Sequence, residues 1–468
     1  MEYRDFKRLV VWQSWNESTT NIQEASDLGY IMVEMPSIGK RVKLVADGPA
    51  GSTSHEGVVL PGAAQDHITI KLANGYNVSY PFDMVKTIEE IGDSSISESA
   101  NLSIEQNQDL PKVTIIHTGG TIASKVDYAT GAVIARFEPE ELLASVPEIL
   151  EIANIDAKKI GNMWSDDIRP VHWNLMIDAC QEAFDSGSVG VVITHGTDTL
   201  HVSASALSFA FAGNGGKPAG RIVFTGSQRS SDRASSDATE NLLAAVYWAA
   251  NGAEVSGDGD AAVTVMHAGS GDGVCAVSPG VGVRKMHSTR RDAFQMVNGE
   301  RISEISISRG GLSHTPVSNS QNRQVAKPTK YDPAIKIAQF IAGPHLHCDL
   351  LEAAQQANYS AIIIHGTGLG HLPIENSNGD APENDELAGA IKHCSIPVIV
   401  ANQCINGPVD LNVYSKGRNQ QELGVLGHGS TASPEALLAK VHWALSNDKD
   451  LGILSENLCG ENKSSLMT

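Results

Sequence analysis

The chain has 468 residues, of which 41% are hydrophobic and 19% charged, a globular composition that excludes disordered and collagen-like classes. Its formal net charge of -20 at pH 7 has the wrong sign for a surface that holds nucleic acid by its phosphates. Any RNA is therefore expected to bind mainly through a partner. At roughly 100 to 200 residues per domain, the length predicts about three domains.

The first predicted elements are strands between residues 37 and 92. Apolar and polar residues alternate there, and Asn74-Gly75 between two of the strands is typical of a tight hairpin turn. We interpret this region as a small β-barrel domain, preceded by a tail at 1–36 and followed by a polar linker at 93–111. The predicted strands are 41–45, 55–60, 67–72 and 76–82.

From residue 112 the pattern becomes strand, loop and helix in alternation, which is typical of a largely parallel sheet covered by helices. We predict an α/β domain over 112–330 and a second, smaller α/β lobe over 331–468. The predicted strands are 113–117, 189–195, 221–225, 261–267, 335–340, 361–365 and 397–401. The predicted helices are 139–153, 173–184, 199–212, 239–250, 350–357, 385–393 and 434–445.

The six cysteines lie far apart and form no C-x-x-C pair, which argues against a disulfide framework and a zinc knuckle. They predict free thiols in a reducing cytoplasm. His345, His347 and Cys348 are residue types that ligate metals, but without a second ligand pair we predict no metal site. Because no run approaches the 18 apolar residues of a membrane span, we expect a soluble cytoplasmic protein.

Two short segments that join glycine to threonine, 118–121 and 195–199, each follow a run of β-branched residues. Glycines allow a sharp turn at the carboxyl end of a strand, where ligands and chemistry gather in open α/β sheets. Neither a phosphate-binding G-x-x-x-x-G-K-[ST] loop, nor G-x-G-x-x-G, nor the serine elbow G-x-S-x-G occurs. Threonine is therefore the remaining candidate nucleophile.

A threonine hydroxyl is a weak nucleophile and needs a base or a polarising relay close by. Thr121 stands a few residues before Tyr128, in a stretch whose glycine could make it a mobile flap. Thr197 stands beside Asp198, and Lys285 is a possible amine partner for that pair. Spacing alone does not show that these groups meet.

Each of these candidates has a simpler interpretation. A threonine beside glycine at a strand end is more often a turn or cap residue than a nucleophile. Lys285 lies in the sequence near Arg284, Arg290 and Arg291, and such clusters are more often a solvated basic face than part of a catalytic site.

Several segments taken together resemble the bacterial-type L-asparaginase family in order and approximate spacing, over roughly residues 112 to 455. The resemblance implies the family's two-lobed asparaginase-like α/β fold and an active site completed across a dimer interface. A second resemblance is to the archaeal glutamyl-tRNA(Gln) amidotransferase branch of that family. It is carried by segments of the predicted β domain, 39–42, 56–61 and 68–78, and by 366–371 and 412–415. The segments that carry the first resemblance are 118–124, 165–167, 192–199, 225–227 with Asp237, and 284–285.

The family pattern implies a role for each matching catalytic residue. Thr121 would be the attacking nucleophile, and Tyr128 would assist it from the flap. Thr197, Asp198 and Lys285 would form a second relay that acts on proton transfer or on the attacking water.

The resemblance also implies how the substrate would be held. Ser165 and Asp166 would bind its α-carboxylate and α-amino groups, and Asp198 would meet the amino group as well. Relatives usually carry Gln or Glu where this chain has Asp166, whose side chain is shorter. The expected substrate is glutamine or asparagine.

The resemblance implies one component of an amidotransferase, a carbon-nitrogen ligase, and this component would release ammonia from the side-chain amide through a threonyl acyl-enzyme. A partner, the E subunit, would use ATP and Mg²⁺ and the ammonia to convert Glu-tRNA(Gln) to Gln-tRNA(Gln). This chain would bind no cofactor itself, would meet tRNA mainly through that partner, and would not contact a membrane. The expected assembly is a heterodimer that pairs into a dimer of heterodimers. The alternatives are a free-standing cytoplasmic L-asparaginase and an inactive assembly scaffold.

Overall fold

The computed structural model describes residues 36–48, 51–60, 66–72, 77–93, 106–120, 122, 124–126, 133–135, 146–230, 235–317 and 323–466. The chain divides into two compact units. The first contains the β-strands before residue 94, and the second contains nearly all of the chain after residue 105. Within the described ranges, no helix combines the length and the apolar character that a bilayer crossing requires.

The first unit contains an antiparallel sheet whose strands lie in the order β4-β3-β2-β1-β5. Burial alternates along β1, as expected for a strand with one face covered, whereas β3 has four consecutive buried residues. The strands are β1 (Lys40–Gly48), β2 (Gly51–Leu60), β3 (His67–Leu72), β4 (Asn77–Pro81) and β5 (Val85–Asp93). The hydrophobic core of this unit is formed by Val42, Leu44, Val59, Ile68 and Ile70.

This sheet confirms the predicted small β domain. Strand β5 is an addition to the prediction, and it continues to Asp93 at the start of the predicted linker. The two edge strands β4 and β5 do not pair with each other among the described residues, so closure into a barrel stays a prediction. The predicted Asn74-Gly75 turn lies outside the described residues.

The second unit is built on an eight-stranded sheet in the order β17-β16-β13-β12-β11-β10-β6-β9. Its first five strands in the chain, β6, β9, β10, β11 and β12, are parallel, and β13, β16 and β17 extend the sheet in antiparallel fashion. The strands of this sheet are β6 (Lys112–His117), β9 (Asn154–Lys159), β10 (Gly190–Thr194), β11 (Arg221–Thr225), β12 (Val263–His267), β13 (Val274–Pro279), β16 (Ser303–Ser308) and β17 (Gly311–His314). Strands β14 (Val283–Lys285) and β15 (Phe294–Met296) form a separate pair in this unit, whereas the pair β7 (Ser124–Val126) and β8 (Val133–Ala135) belongs to the first unit. The predicted parallel sheet is therefore confirmed, and its antiparallel edge is an addition.

Helices cover both faces of this sheet. In β10, Val191 and Ile193 enter the hydrophobic core with α1 and α2, whereas Val192 enters the core with α3. Because successive side chains of a strand point to opposite faces, an uninterrupted apolar run indicates a strand buried on both sides. The helices are α1 (Pro170–Asp185), α2 (Leu200–Ala212) and α3 (Ala238–Asn251).

The same arrangement recurs in the smaller lobe around the parallel sheet β18-β19-β20. Helices α4 and α5 share one core with this sheet, and α7 shares the other. The strands are β18 (Ile337–Ile341), β19 (Ala361–Gly366) and β20 (Val398–Asn402). The helices are α4 (Cys348–Gln356), α5 (Pro382–Lys392), α6 (Ser415–Glu422) and α7 (Pro434–Ser446).

One predicted helix is wrong in its described part. The prediction placed a helix over 139–153, but Pro147–Glu151 forms a short 3-10 helix and Asn154 begins β9. Residues 139–145 lie outside the described residues. Proline is tolerated only in the first turn of a helix, so a helix in this segment begins at Pro147. Because the chain enters the sheet at Asn154, little more than one turn fits between the two residues.

Candidate functional site

The two glycine-threonine segments lie side by side at the carboxyl ends of adjacent strands. Strands β6 and β10 are parallel neighbours, with His117 opposite Thr194. A Cβ atom on Gly120, whose φ is +91°, would lie 2.7 Å from the backbone nitrogen of Gly196. Such close approach requires a residue without a side chain, so only glycine allows the two loops to pack against each other at this position.

Replacement of Gly120 by alanine is expected to separate the two loops. The new Cβ would meet the backbone of Gly196, and the positive φ would be strained as well. We expect glutaminase or asparaginase turnover to fall by roughly 100-fold, because a displacement of about 1 Å has that effect on positioned groups.

Gly215→Ala is the matched control, because Gly215 has a φ of +82° with no described atom within 4 Å of its added Cβ. Steady-state ammonia release measures both variants. Equal losses in the two would show that backbone strain, and not contact between the loops, decides the result.

The hydrogen bonds of Thr118 give it a structural role. Its backbone N–H and its hydroxyl both donate to the carbonyl of Thr194, at 3.1 and 3.0 Å. The residue is only 1% exposed. Its hydroxyl therefore fastens the first loop to β10, as the turn interpretation expects for one of the threonines.

Lys285, the last residue of β14, contacts the loop that contains Thr197 and Asp198. Its Nζ donates to Thr197 Oγ1 at 2.9 Å and to Asp198 Oδ1 at 2.7 Å. The lysine side chain is 9% exposed, and that of Asp198 is 70% exposed. Lys285 is therefore not part of a solvated basic face. An ammonium group between a hydroxyl and a carboxylate can hold or pass a proton at the threonine oxygen.

The neighbouring arginines have partners of their own. Arg284 pairs with Glu435 at 3.2 Å, and Arg291 pairs with Asp272. Arg290 pairs with Asp292. Lys285 thus differs from the other basic residues of its segment in facing the strand-end loops.

Ser165 lies against the second loop, whereas Asp166 is exposed. Ser165 begins the short 3-10 helix Ser165–Asp167, and its carbonyl accepts a hydrogen bond from Thr199 Oγ1 at 2.5 Å. A Cβ atom on Gly196 would lie 2.9 Å from the Cβ of Ser165. Asp166 lines a cavity of about 570 Å³ between the two lobes. Their roles toward a substrate stay predictions.

Thr121 and Tyr128, the predicted nucleophile and its assistant, lie outside the described residues. In the sequence, Tyr128 falls between the two short strands β7 and β8, which pair antiparallel. The predicted roles of both residues stay predictions.

A third loop, after β11, completes the surroundings of Thr197. A Cβ atom on Gly226 would lie 3.1 Å from Thr197 Cγ2. Buried Asp237 accepts hydrogen bonds from the backbone of Gln228 and Arg229 at 3.0 Å each, and so fixes this loop.

Asn241 adds a further link to the third loop, since its Nδ2 donates to the carbonyl of Gly226 at 2.9 Å. The residue is fully buried in the first turn of α3. Sequence reasoning did not single it out. The available signal was an amide one turn after Asp237, just before the apolar run of the helix.

Three buried histidines near the strand ends are uncharged. Burial lowers the pKa of His117 to about 3, of His195 to about 4 and of His201 to about 3. Positive charges nearby, Lys159 for His117 and Arg284 for His201, act in the same direction. None of these imidazoles is suited to act as a general base near pH 7.

These histidines predict a loss of stability on mild acidification. The unfolded chain binds protons near pH 6.5, while the folded chain resists them down to pH 3 to 4, so stability rises with pH between those values. Between pH 7 and pH 5 we expect each histidine to lower the free energy of unfolding by roughly 2 kcal/mol.

Urea unfolding at the two pH values measures this effect. His201→Leu should remove roughly 2 kcal/mol of the pH-dependent part, because it removes one histidine whose pKa is low only in the folded chain. A urea midpoint that does not change between pH 7 and pH 5 would contradict the assignment.

Comparison with known proteins identifies the class to which this fold belongs. The protein-family model described as "Asparaginase, N-terminal" matches residues 112–317. A second family model, "Glutaminase/Asparaginase C-terminal domain", matches residues 336–456. The thermostable L-asparaginase from Thermococcus kodakarensis is 29% identical with a TM-score of 0.61, and covers 75% of this chain and 99% of its own. L-asparaginase I from Vibrio cholerae is 28% identical with a TM-score of 0.60, and covers 76% and 99%. The fold and the two matched domains thus define a protein of the glutaminase/asparaginase class.

Curated relatives extend the match to the N-terminal region. A protein of Methanococcus maripaludis strain C5, named as the D subunit of glutamyl-tRNA(Gln) amidotransferase, is 37% identical over 431 residues, or 91% of this chain and 97% of that protein. The protein of the same name from Pyrococcus abyssi is 36% identical over 423 residues, or 89% and 91%. The chain belongs to the family formed by the D subunits of glutamyl-tRNA(Gln) amidotransferase.

Proposed function

We propose that this chain hydrolyses the side-chain amide of glutamine or asparagine and supplies the ammonia to a partner, the E subunit, in the cytoplasm. The E subunit would phosphorylate the glutamyl group of Glu-tRNA(Gln) with ATP and Mg²⁺ and accept the ammonia to give Gln-tRNA(Gln). This chain would bind neither ATP nor Mg²⁺ for that reaction. The ligase activity then belongs to the complex, and the amidohydrolase half-reaction belongs to this chain.

The proposal rests on how much of this chain is covered by the asparaginase structures and how much by the amidotransferase relatives. The two asparaginase structures cover three quarters of the chain, about the length that follows residue 111. Alignments of 431 and 423 residues are longer than that segment, so they include part of the N-terminal β unit. A β unit shared with the amidotransferase relatives supports the amidotransferase over a free-standing asparaginase.

The chemistry we propose begins with the Thr121 hydroxyl, which attacks the amide carbonyl carbon. Backbone N–H groups of the glycine loops would stabilise the oxyanion of the tetrahedral intermediate. The C–N bond then breaks, and nitrogen leaves as ammonia with the proton taken from the hydroxyl. The resulting threonyl ester is hydrolysed by water, which yields glutamate or aspartate and restores the hydroxyl.

The contacts of Lys285 support the second relay of this mechanism. Its ammonium group touches both Thr197 Oγ1 and Asp198 Oδ1. We propose that this relay moves protons for the attacking water, while Asp198 also meets the substrate's amino group. Ser165, buried against Gly196, would hold the α-carboxylate.

The net charge supports a division of labour between the two proteins. At -20, this chain repels a polyanion such as tRNA, so the tRNA would be held mainly by the E subunit. The assembly we propose is a heterodimer that pairs into a dimer of heterodimers.

The decisive experiment measures ammonia release from glutamine and from asparagine under three conditions. These are the chain alone, its complex with the E subunit, and that complex with Glu-tRNA(Gln). We expect co-purification of the two proteins and an increase of at least tenfold in ammonia release when Glu-tRNA(Gln) is present. A complex that carries Thr121→Ala is the matched control, and it should release none.

Two other results would identify the alternatives. Rapid turnover of asparagine by the chain alone, unchanged by the E subunit or by tRNA, would identify a free-standing L-asparaginase. Stable binding to the E subunit without ammonia release under any condition would identify an assembly scaffold. The contacts of Lys285 with Thr197 and Asp198 argue against the scaffold, since a chain without activity has no need of them.

A further inference from the structure

Glu240, His267 and Asp272 bring three metal-binding side chains to one point outside the proposed amidase residues. One ligand atom from each lies within 4.8 Å of the others. Glu240 is in the first turn of α3, His267 is the last residue of β12, and Asp272 is in the loop that follows. Glu240 precedes the other two residues by more than 25 positions, so no short motif joins all three in the sequence.

The imidazole of His267 is held in one orientation. Its Nδ1 lies 2.7 Å from Asn241 Oδ1, and Asn241 Nδ2 donates to the carbonyl of Gly226. With its Nδ2 used as a donor, Asn241 offers its oxygen as an acceptor, so Nδ1 of His267 carries a hydrogen. A metal-binding histidine typically donates its other ring nitrogen in this way.

The other ring nitrogen points into the cluster. Nε2 of His267 is buried and makes no hydrogen bond among the described residues. It lies 3.1 Å from Glu240 Oε2, which already accepts a hydrogen bond from the backbone of Gly273 at 2.9 Å. A lone pair on nitrogen thus faces a carboxylate oxygen, and this contact is unfavourable unless a positive charge lies between them.

The separation of Nε2 and Oε2 is suited to two ligands of one metal ion. Two ligands at right angles, each about 2.1 Å from an ion, are about 3.0 Å apart, close to the separation of Nε2 and Oε2. A proton between these two atoms would neutralise only this pair. Asp272 adds a third possible metal ligand, which a metal ion could bind as well. Arg291 contacts Oδ1 of Asp272, and a carboxylate has a second oxygen for an ion.

We propose that Glu240, His267 and Asp272 bind a divalent transition-metal ion of the Mn²⁺ or Zn²⁺ type. One imidazole nitrogen with two carboxylates is a donor set that such ions prefer. The ion would brace the start of α3 against the end of β12. Through Asn241 it would also support the Gly226 loop beside Thr197, so its role would be structural and separate from amide hydrolysis.

The test is a titration of the full chain, stripped of metal, with Mn²⁺ followed by electron paramagnetic resonance. Mn²⁺ is chosen because the free cysteines of this chain prefer softer ions. We expect one saturable site per chain, weakened at least tenfold by Asp272→Asn and by Glu240→Gln. Asp178→Asn is the matched control, because Asp178 is also an exposed carboxylate paired with a basic residue, Lys330.

Nitrogen NMR of the His267 ring supplies a second readout. We expect a neutral ring with the hydrogen on Nδ1, whose Nε2 signal is lost when Mn²⁺ is added. A ring with hydrogen on both nitrogens that does not respond to Mn²⁺ would overturn the proposal and identify a simple ion pair with Glu240. Mn²⁺ binding of equal strength in Asp272→Asn and the parent chain would overturn it as well.

Discussion

Replacement of Lys285 by methionine is expected to lower the turnover of glutamine or asparagine by about 1000-fold. General acid–base catalysis by a positioned group contributes roughly 10² to 10⁴ in rate, and Lys285 is the group that touches both Thr197 and Asp198. Methionine keeps the apolar stem of the side chain and removes the charge together with the two hydrogen bonds of the ammonium group. The measurement is kcat and KM for ammonia release.

Stability should change little in Lys285→Met. Asp198 is 70% exposed, so loss of its partner leaves a solvated carboxylate and is expected to lower the free energy of unfolding by less than about 1 kcal/mol. Lys158→Met is the matched control, because Lys158 forms an ion pair with Glu182 on the surface. Parental kcat in Lys285→Met would exclude the lysine from proton transfer, and a change in KM alone would limit it to substrate binding.

Thr121→Ala is expected to abolish amide hydrolysis, with a loss of at least about 10⁴-fold. Removal of a nucleophile has effects of this size, because it eliminates the covalent route and leaves only binding and oxyanion stabilisation. In the parent chain, mass spectrometry of quenched reactions should find an acyl adduct on the peptide that contains Thr121. The variant should show no adduct.

Thr118→Val is the control for Thr121→Ala. The Thr118 hydroxyl donates to the Thr194 carbonyl, which also accepts from the Thr118 backbone. Its removal leaves that carbonyl with one donor, so we expect a cost near 1 kcal/mol in stability and activity within about tenfold of the parent. An acyl adduct on Thr118 or Thr197, or full activity of Thr121→Ala, would contradict the assignment of the nucleophile.

Periodicity predicted the elements that form the centre of the fold. The apolar runs of β6, β10 and β11 identify strands buried on both faces, and the structure places their carboxyl ends together. The glycine and threonine residues that follow two of them could therefore be assigned to one edge of the sheet from the sequence.

The elements that periodicity missed carry a weak hydrophobic signal. Helix α6 has only Gly417 and Gln420 buried, so its sequence shows no apolar face. Strands β14 and β15 have three residues each, too few to show alternation. The antiparallel edge of the sheet was missed because its three strands, β13, β16 and β17, were not predicted from the sequence at all.

The sequence by itself determined the strand-end loops, the two α/β lobes and the family, because these depend on local turns, hydrophobic period and the order of motifs. Only the tertiary structure decided that Lys285 meets Thr197 and Asp198, and that Asn241 joins the Gly226 loop to His267. Such contacts join residues that are distant in the chain. Their distances depend on how strands and helices pack, and no local pattern of residues encodes them.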